Sequence, residues 1–330
     1  MPSWLDILER LYEGAWNKDL QRFRSPYAFR GMASVNHTLS SSLLRLARSQ
    51  SDVRRVETAL LRNFRKYAHG EAANTDSIWD WLALGQHRGL PTRLLDWTYS
   101  PLVALHFATE NPVDFHDDGI VWCVNFVEAN KRLPARLRRI LDKEGSDTFT
   151  VEMLAGFETL REFDALSRNP FVIFLEPPAL DQRILNQLAL FSVMSSPLTE
   201  LDDWLRRHPD LCRQVHIPAA VKWEIRDKLD QANVNERVLF PGLDGLSRWL
   251  ARYYTPASRH RAVETDRPGR AAREAAGPLD DAARASAVHF DHAGDQNQSA
   301  RRAGSAQTSR AAHSGSGSRR SARSSARRRR

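Results

Sequence analysis

The sequence predicts an α+β fold, with helices at both ends around a central, mostly antiparallel sheet. Amphipathic stripes at helical spacing dominate the first hundred residues and return over 219–253. Apolar runs of strand length gather in the middle, at 119–127, 171–175 and 188–194. Those runs do not alternate one-for-one with helices, as a doubly wound parallel sheet requires.

Ser3 is a helix N-cap ahead of Trp4, Leu5, Ile7, Leu8, Leu11 and Trp16, a stripe that predicts a helix over 3–16. Ser25-Pro26 breaks the chain, and 27–31 reads as a short strand ending in a turn. Val53, Val56, Leu60, Leu61, Phe64 and Tyr67 share one helical face over 53–67, and Ser77 caps a further helix over 77–86. Gly89 and Pro91 punctuate the polar stretch that follows, and Pro101 suits the first turn of a helix running to Ala108. After the strand at 119–127, residues 130–168 are polar and weakly periodic, which suggests an insertion or lid. A strand over 171–175 is stopped by Pro177-Pro178, and 181–186 reads as a helical turn. Strands at 188–194 and 214–217, a helix over 219–232, a short segment at 237–240 and a helix over 243–253 complete the order.

Charge divides the chain into a domain over 1–255 and a tail over 256–330. The tail holds 16 Arg and no Lys against 7 acidic residues, +9 of an overall +8, so residues 1–255 are near neutral at −1. The basic balance therefore does not mark the domain as a nucleic-acid binder. The tail is rich in Ala, Arg, Ser and Gly and nearly free of large apolar residues, so disorder is expected, with a weak polyanion contact through its terminal arginines. Cys123 and Cys212 lie far apart without Cys or His at ligand spacing, which excludes a disulfide framework and a cysteine zinc site. His37, His69, His106, His116, His208 and His216 show no metal spacing, so no metal is expected. No apolar run approaches the length of a membrane span and the N-terminus lacks signal-peptide character, so a cytoplasmic location is expected. The oligomeric state is not legible.

The most informative stretch is Gln86-His87-Arg88-Gly89-Leu90-Pro91-Thr92-Arg93-Leu94-Leu95-Asp96-Trp97-Thr98, enclosed by apolar segments on both sides. Buried polar groups cost free energy unless partnered, so these residues either brace a turn or hold a site. Asp96 and Arg93 are expected to pair, Ser100 to cap the helix ahead of Pro101, and His87 to find a neighbour.

Together with Phe29-Arg30-Gly31, Arg183-Ile184-x-x-Gln187-x-x-x-Phe191 and the closing Leu239-Phe240-Pro241-Gly242-Leu243-Asp244-Gly245-Leu246, this stretch resembles the FRG domain family over roughly residues 1–253. The motif order is also similar, more weakly, to mono-ADP-ribosyltransferases. These carry Arg-Gly at the end of a first strand, a Ser/Thr segment running into a helix, and a Glu at a later strand. Here Gln187 stands where the Glu is usual. That resemblance implies a nucleotide pocket with NAD as substrate, no further cofactor, and ADP-ribosyl transfer or NAD cleavage as the reaction. Arg30 would clamp the pyrophosphate, Thr98 and Gln187 would hold ribose, and Trp97 or Phe29 would pack the base. Gly31, Gln86, His87, Thr92, Arg93 and Asp96 would complete the pocket wall. The other reading is a non-catalytic module that recognises a nucleotide or protein through the same residues, in defence or stress signalling.

Overall fold

A computed structural model describes residues 2–47, 49, 51–68 and 77–256. The tail expected from 256 onward lies, from residue 257, outside the described residues. The fold is α+β, as expected. Helix α1 (Trp4–Tyr12) is capped by Ser3, whose hydroxyl accepts from the Asp6 amide at 3.3 Å. It stops short of Trp16 because Gly14 turns the chain at φ 70°. Trp16 instead lies in a small hairpin, β1 (Trp16–Asn17) and β2 (Arg22–Phe23), packed edge-to-face on Phe23.

The strand β3 (Tyr27–Met32) follows, then α2 (Ser42–Leu46), α3 (Val53–Ala68) and α4 (Ile78–His87). The polar stretch ends as a strand, β4 (Leu94–Thr98), and Ser100 caps α5 (Pro101–Ala108) through the Val103 amide at 3.3 Å. Beyond β5 (Gly119–Asn125) come α6 (Phe126–Asn130), α7 (Ala135–Glu144) and α8 (Leu160–Asp164), then β6 (Val172–Leu175) and α9 (Gln182–Asn186). The chain closes with β7 (Ala189–Met194), α10 (Leu201–Arg206), β8 (Cys212–Ile217), α11 (Lys222–Gln231), α12 (Glu236–Leu239) and α13 (Leu243–Tyr253).

Six strands form one antiparallel sheet in the order β6-β7-β4-β3-β5-β8. Helices cover both of its faces, which is why β5, β6 and β7 read as largely apolar runs instead of alternating. Leu94 joins an apolar cluster with Trp79, Phe149, Phe163 and Phe191, while its neighbour Leu95 joins Ala28, Met32, Trp122 and Phe174 on the other face. A third cluster packs α1, α5 and α11 on Phe29, Val121 and Val215. Residues 130–168 are not a lid. Leu133, Leu137, Leu141, Phe149, Leu154, Phe157 and Phe163 are buried in the first cluster, and breaks between short helices and turns hide their common side from any single period.

A buried ionic network ties the closing helices to α5. Arg226 is fully buried; it hydrogen-bonds His106 Nδ1 at 2.8 Å and donates to Glu236 at 3.3 Å, and Arg252 bonds both Glu236 and Asp230. Burial and the adjacent Arg226 push His106 down to about 3. Glu236, though desolvated, is held near 2 by Arg252 and Arg226. The unfolded chain takes a proton at histidine near pH 6.5 and the folded chain does not, so this share of stability is complete above that pH. It is lost as pH falls toward 3, at up to about 1.4 kcal/mol per pH unit. The Glu236 share is complete above about pH 4.5 and is lost only as pH falls from there toward 2. Urea unfolding between about pH 7.5 and about pH 5 should therefore show a decline that His106→Gln flattens. An unchanged slope in that variant would remove His106 as its source.

Candidate functional site

β3 and β4 are neighbours, but they share one register pair, Phe29↔Thr98, whereas β3 pairs with β5 along all of Tyr27–Met32. Past that pair the guanidinium of Arg30 lies against β4. Its Nη1 donates to the Asp96 carbonyl at 2.5 Å and stands 4.0 Å from the Asp96 carboxylate. Its Nε is buried without a partner, and a quarter of the side chain stays exposed. Burial lowers its pKa, Asp96 opposes that shift, and Arg45 adds to it.

Gly31 has a packing reason. A Cβ there would stand 1.7 Å from the Ala104 carbonyl oxygen, so only glycine lets α5 lie this close to β3.

The polar stretch forms a connected brace. Thr92 donates to Gln86 Oε1 at 2.6 Å, Gln86 Nε2 donates to Asp96 Oδ2 at 2.9 Å, and Thr92 Oγ1 accepts from the Leu94 amide at 3.0 Å. Ser42, at the start of α2, bonds both the amide and the carbonyl of Thr92. His87 pairs with Asp181 at 2.7 Å, and Asp181 also caps α9 through the Arg183 and Ile184 amides. Although desolvation opposes it, the bond from His87 and the cap amides keep Asp181 below the usual carboxylate range.

The expected pair of Arg93 and Asp96 does not form. Three residues of extended chain separate them by about 10 Å. Arg93 is buried and grips Glu57 with a two-point fork at 2.6 and 2.5 Å, with Asp164 at 2.5 Å on its remaining side. Desolvation alone would lower its pKa; the two carboxylates reverse this and raise it. Arg93 therefore has no free face for a ligand.

Nor do the proposed ribose and base contacts meet Arg30 in one cleft. Residues directly opposite across a ladder project to the same side, so Thr98 shares the face of Phe29, while Arg30 lies on the face of Ala28 and Met32. Thr98 donates to the Gln187 carbonyl at 2.7 Å and accepts from the Ser100 amide at 3.0 Å. The Gln187 amide donates to the Leu239 carbonyl at 2.9 Å. Thr98 and Gln187 are thus brought together, but by bonds that occupy them. Phe29 is 1 % exposed in the α5 cluster, and Trp97, 3 % exposed, donates to Ser192 at 2.8 Å and packs on Phe174 on the opposite face. Both are core side chains. An open groove of about 1060 Å³ lies elsewhere, lined by Asp6, Glu9, Arg10, Tyr12, Phe23 and His216, with none of the expected site residues in its wall.

Glu57, Asp164, Asp181 and Ser42 complete this constellation and were not expected from the sequence. Glu57 alone carried a signal, since it falls on the apolar stripe between Val53 and Leu61 of α3. Among the described residues no cluster of His, Cys, Asp or Glu is placed to hold a metal, and no helix is long and apolar enough to cross a membrane.

Residues 25–117 match the family model of the FRG domain, the segment that holds β3, β4, α2 to α5 and the polar stretch itself, while its partners Asp164 and Asp181 lie beyond it. No curated protein and no solved structure matches the chain significantly.

Proposed function

We propose that the FRG domain carried by residues 25–117 is a nucleotide-recognition module whose phosphate contact is Arg30, with NAD or its ADP-ribose part as the ligand class. The observation that carries this reading is the state of that guanidinium. Of its five N–H donors, one bonds a backbone carbonyl, Nε has no partner, and no carboxylate neutralises it within close hydrogen-bond range. Arg93, by contrast, is saturated by two carboxylates, and the fully buried Arg226, whose Nε also lacks a partner, bonds His106 and Glu236 and has no exposed side. A planar donor fork left with spare donors in a partly exposed, desolvated place suits phosphate oxygens.

NAD within that class is favoured by motif order alone, since Thr98 lies on the face of the sheet opposite Arg30 and both Thr98 and the Gln187 amide are already bonded. Arg30-Gly31 lies on β3, Thr98 on the adjacent β4, and Gln187 directly ahead of β7, which is the other neighbour of β4. The chemistry of cleavage fits less well. A Gln can bond a ribose hydroxyl, but it cannot place a negative charge against the cationic ribose that forms when nicotinamide leaves. Binding without rapid turnover is therefore the expected behaviour, and slow transfer or NAD hydrolysis is the second reading.

Calorimetry at low ionic strength should detect NAD or ADP-ribose binding to the wild type and an at least tenfold loss in Arg30→Ala, since bonds to charged groups contribute about 1.5–3 kcal/mol. Arg30→Lys should recover only part of it. Absence of heat with either ligand would sink the nucleotide reading. Nicotinamide release above background in the wild type, lost in Arg30→Ala, would promote the second reading over the first.

A further inference from the structure

We propose that Arg45 is a second anion contact beside Arg30, and that the two guanidiniums together select a diphosphate over a monophosphate. This deepens the reading of Arg30 as the phosphate contact and rests on it. Helix α2 is laid against the polar brace by the Leu43 amide and the Ser42 hydroxyl, which donate to the Thr92 carbonyl at 3.1 and 3.3 Å. Arg45 follows Ser42 by three residues and so shares its side of the helix. Its Nη1 turns back to the carbonyl of Ser40. Leu39, next to Ser40, packs in the same cluster as Ala28 and Met32, the residues that flank Arg30 on its own face of the sheet.

The backbone that Arg45 bonds thus adjoins the cluster on the face of β3 that Arg30 occupies, and each guanidinium has a backbone carbonyl as its hydrogen-bond partner. The opposing charges acting on them are Asp96 for Arg30 and Glu200 for Arg45. Burial lowers both pKa values, and Arg45 lowers that of Arg30 further. Two like charges held near each other in a partly desolvated place repel, and an anion bearing charge on two adjacent phosphoryl groups relieves that repulsion where a single phosphoryl engages one fork.

The test compares ADP with AMP, and inorganic pyrophosphate with phosphate, by calorimetry on the whole chain at low ionic strength. The wild type should bind the diphosphates about tenfold or more tightly than the monophosphates. Arg45→Gln should remove about tenfold from ADP binding while leaving AMP within about threefold. Arg45 is an exposed residue, so its variant should keep the wild-type thermal midpoint, measured in parallel. An Arg45→Gln protein that binds ADP like the wild type, while Arg30→Ala loses it, would overturn the two-arginine site and leave Arg30 as the sole phosphate contact. Failure of the wild type to bind any of the four probes would overturn both.

Discussion

Gly31→Ala should destabilise the domain by about 3 kcal/mol or more, the upper range for forcing atoms into a packed interior. The added Cβ meets the Ala104 carbonyl oxygen at 1.7 Å and the Ala108 amide nitrogen at 2.7 Å. Both are backbone atoms of α5, so no side chain can rotate away, and α5 must lift from β3. That helix carries Ala104, Leu105 and Ala108 into the cluster with Phe29 and Val121, so lifting it opens a core and does not merely bend a surface. Gly89 supplies the control. It has φ 80° and open space around its Cβ position, so Gly89→Ala loses only left-handed backbone freedom, about 1 kcal/mol. Chemical denaturation of the two variants should rank them in that order. A Gly31→Ala protein within about 0.5 kcal/mol of wild type would mean that β3 and α5 are not in contact at this point.

The same position shows how much of the molecule can be read from residues alone. From residues alone Gly31 reads as the end of a strand and a turn, whereas the strand runs on to Met32 and the helix that needs the glycine is more than seventy residues away. Strands buried on both faces, such as β5, are legible because every residue from Gly119 to Val124 is apolar or small. β4 is not, although it lies at the centre of the sheet. Its Asp96 is polar because it belongs to the brace and its Thr98 because it bonds Gln187 and the turn into α5, so the five-residue strand is hidden inside the motif. The core contribution of 130–168 is hidden for a different reason, since short helices and turns reset the period each time. At the site, side-chain chemistry is legible and partners are not. Gln86, His87, Thr92 and Arg93 announce that they need bonds, yet Asp181, Ser42, Glu57 and Asp164 stand 94, 50, 36 and 71 residues from those they satisfy. No local spacing carries that information.

Arg93 gives the sharpest separation between bracing and binding. Arg93→Ala should destabilise the domain by about 3–5 kcal/mol, because it leaves Glu57 charged and buried with no counter-charge in reach. Asp164 keeps Arg54 at 2.9 Å and is the less affected of the two carboxylates. Arg93→Lys should recover little, since an ammonium cannot reproduce the two-point grip on Glu57 while also reaching Asp164. Glu57→Gln, which removes the buried charge but keeps its shape, should make the loss of Arg93 markedly cheaper, so the double variant should be more stable than the sum of the single effects allows. A ligand-contacting arginine predicts the opposite pattern: binding falls, stability barely moves, and Glu57 shows no coupling. Urea unfolding of the wild type, Arg93→Ala, Glu57→Gln and the double variant, with ADP-ribose calorimetry on those that fold, distinguishes the two. A loss below about 1 kcal/mol in Arg93→Ala would return this residue to the candidate ligand contacts and would make the fork to Glu57 incidental.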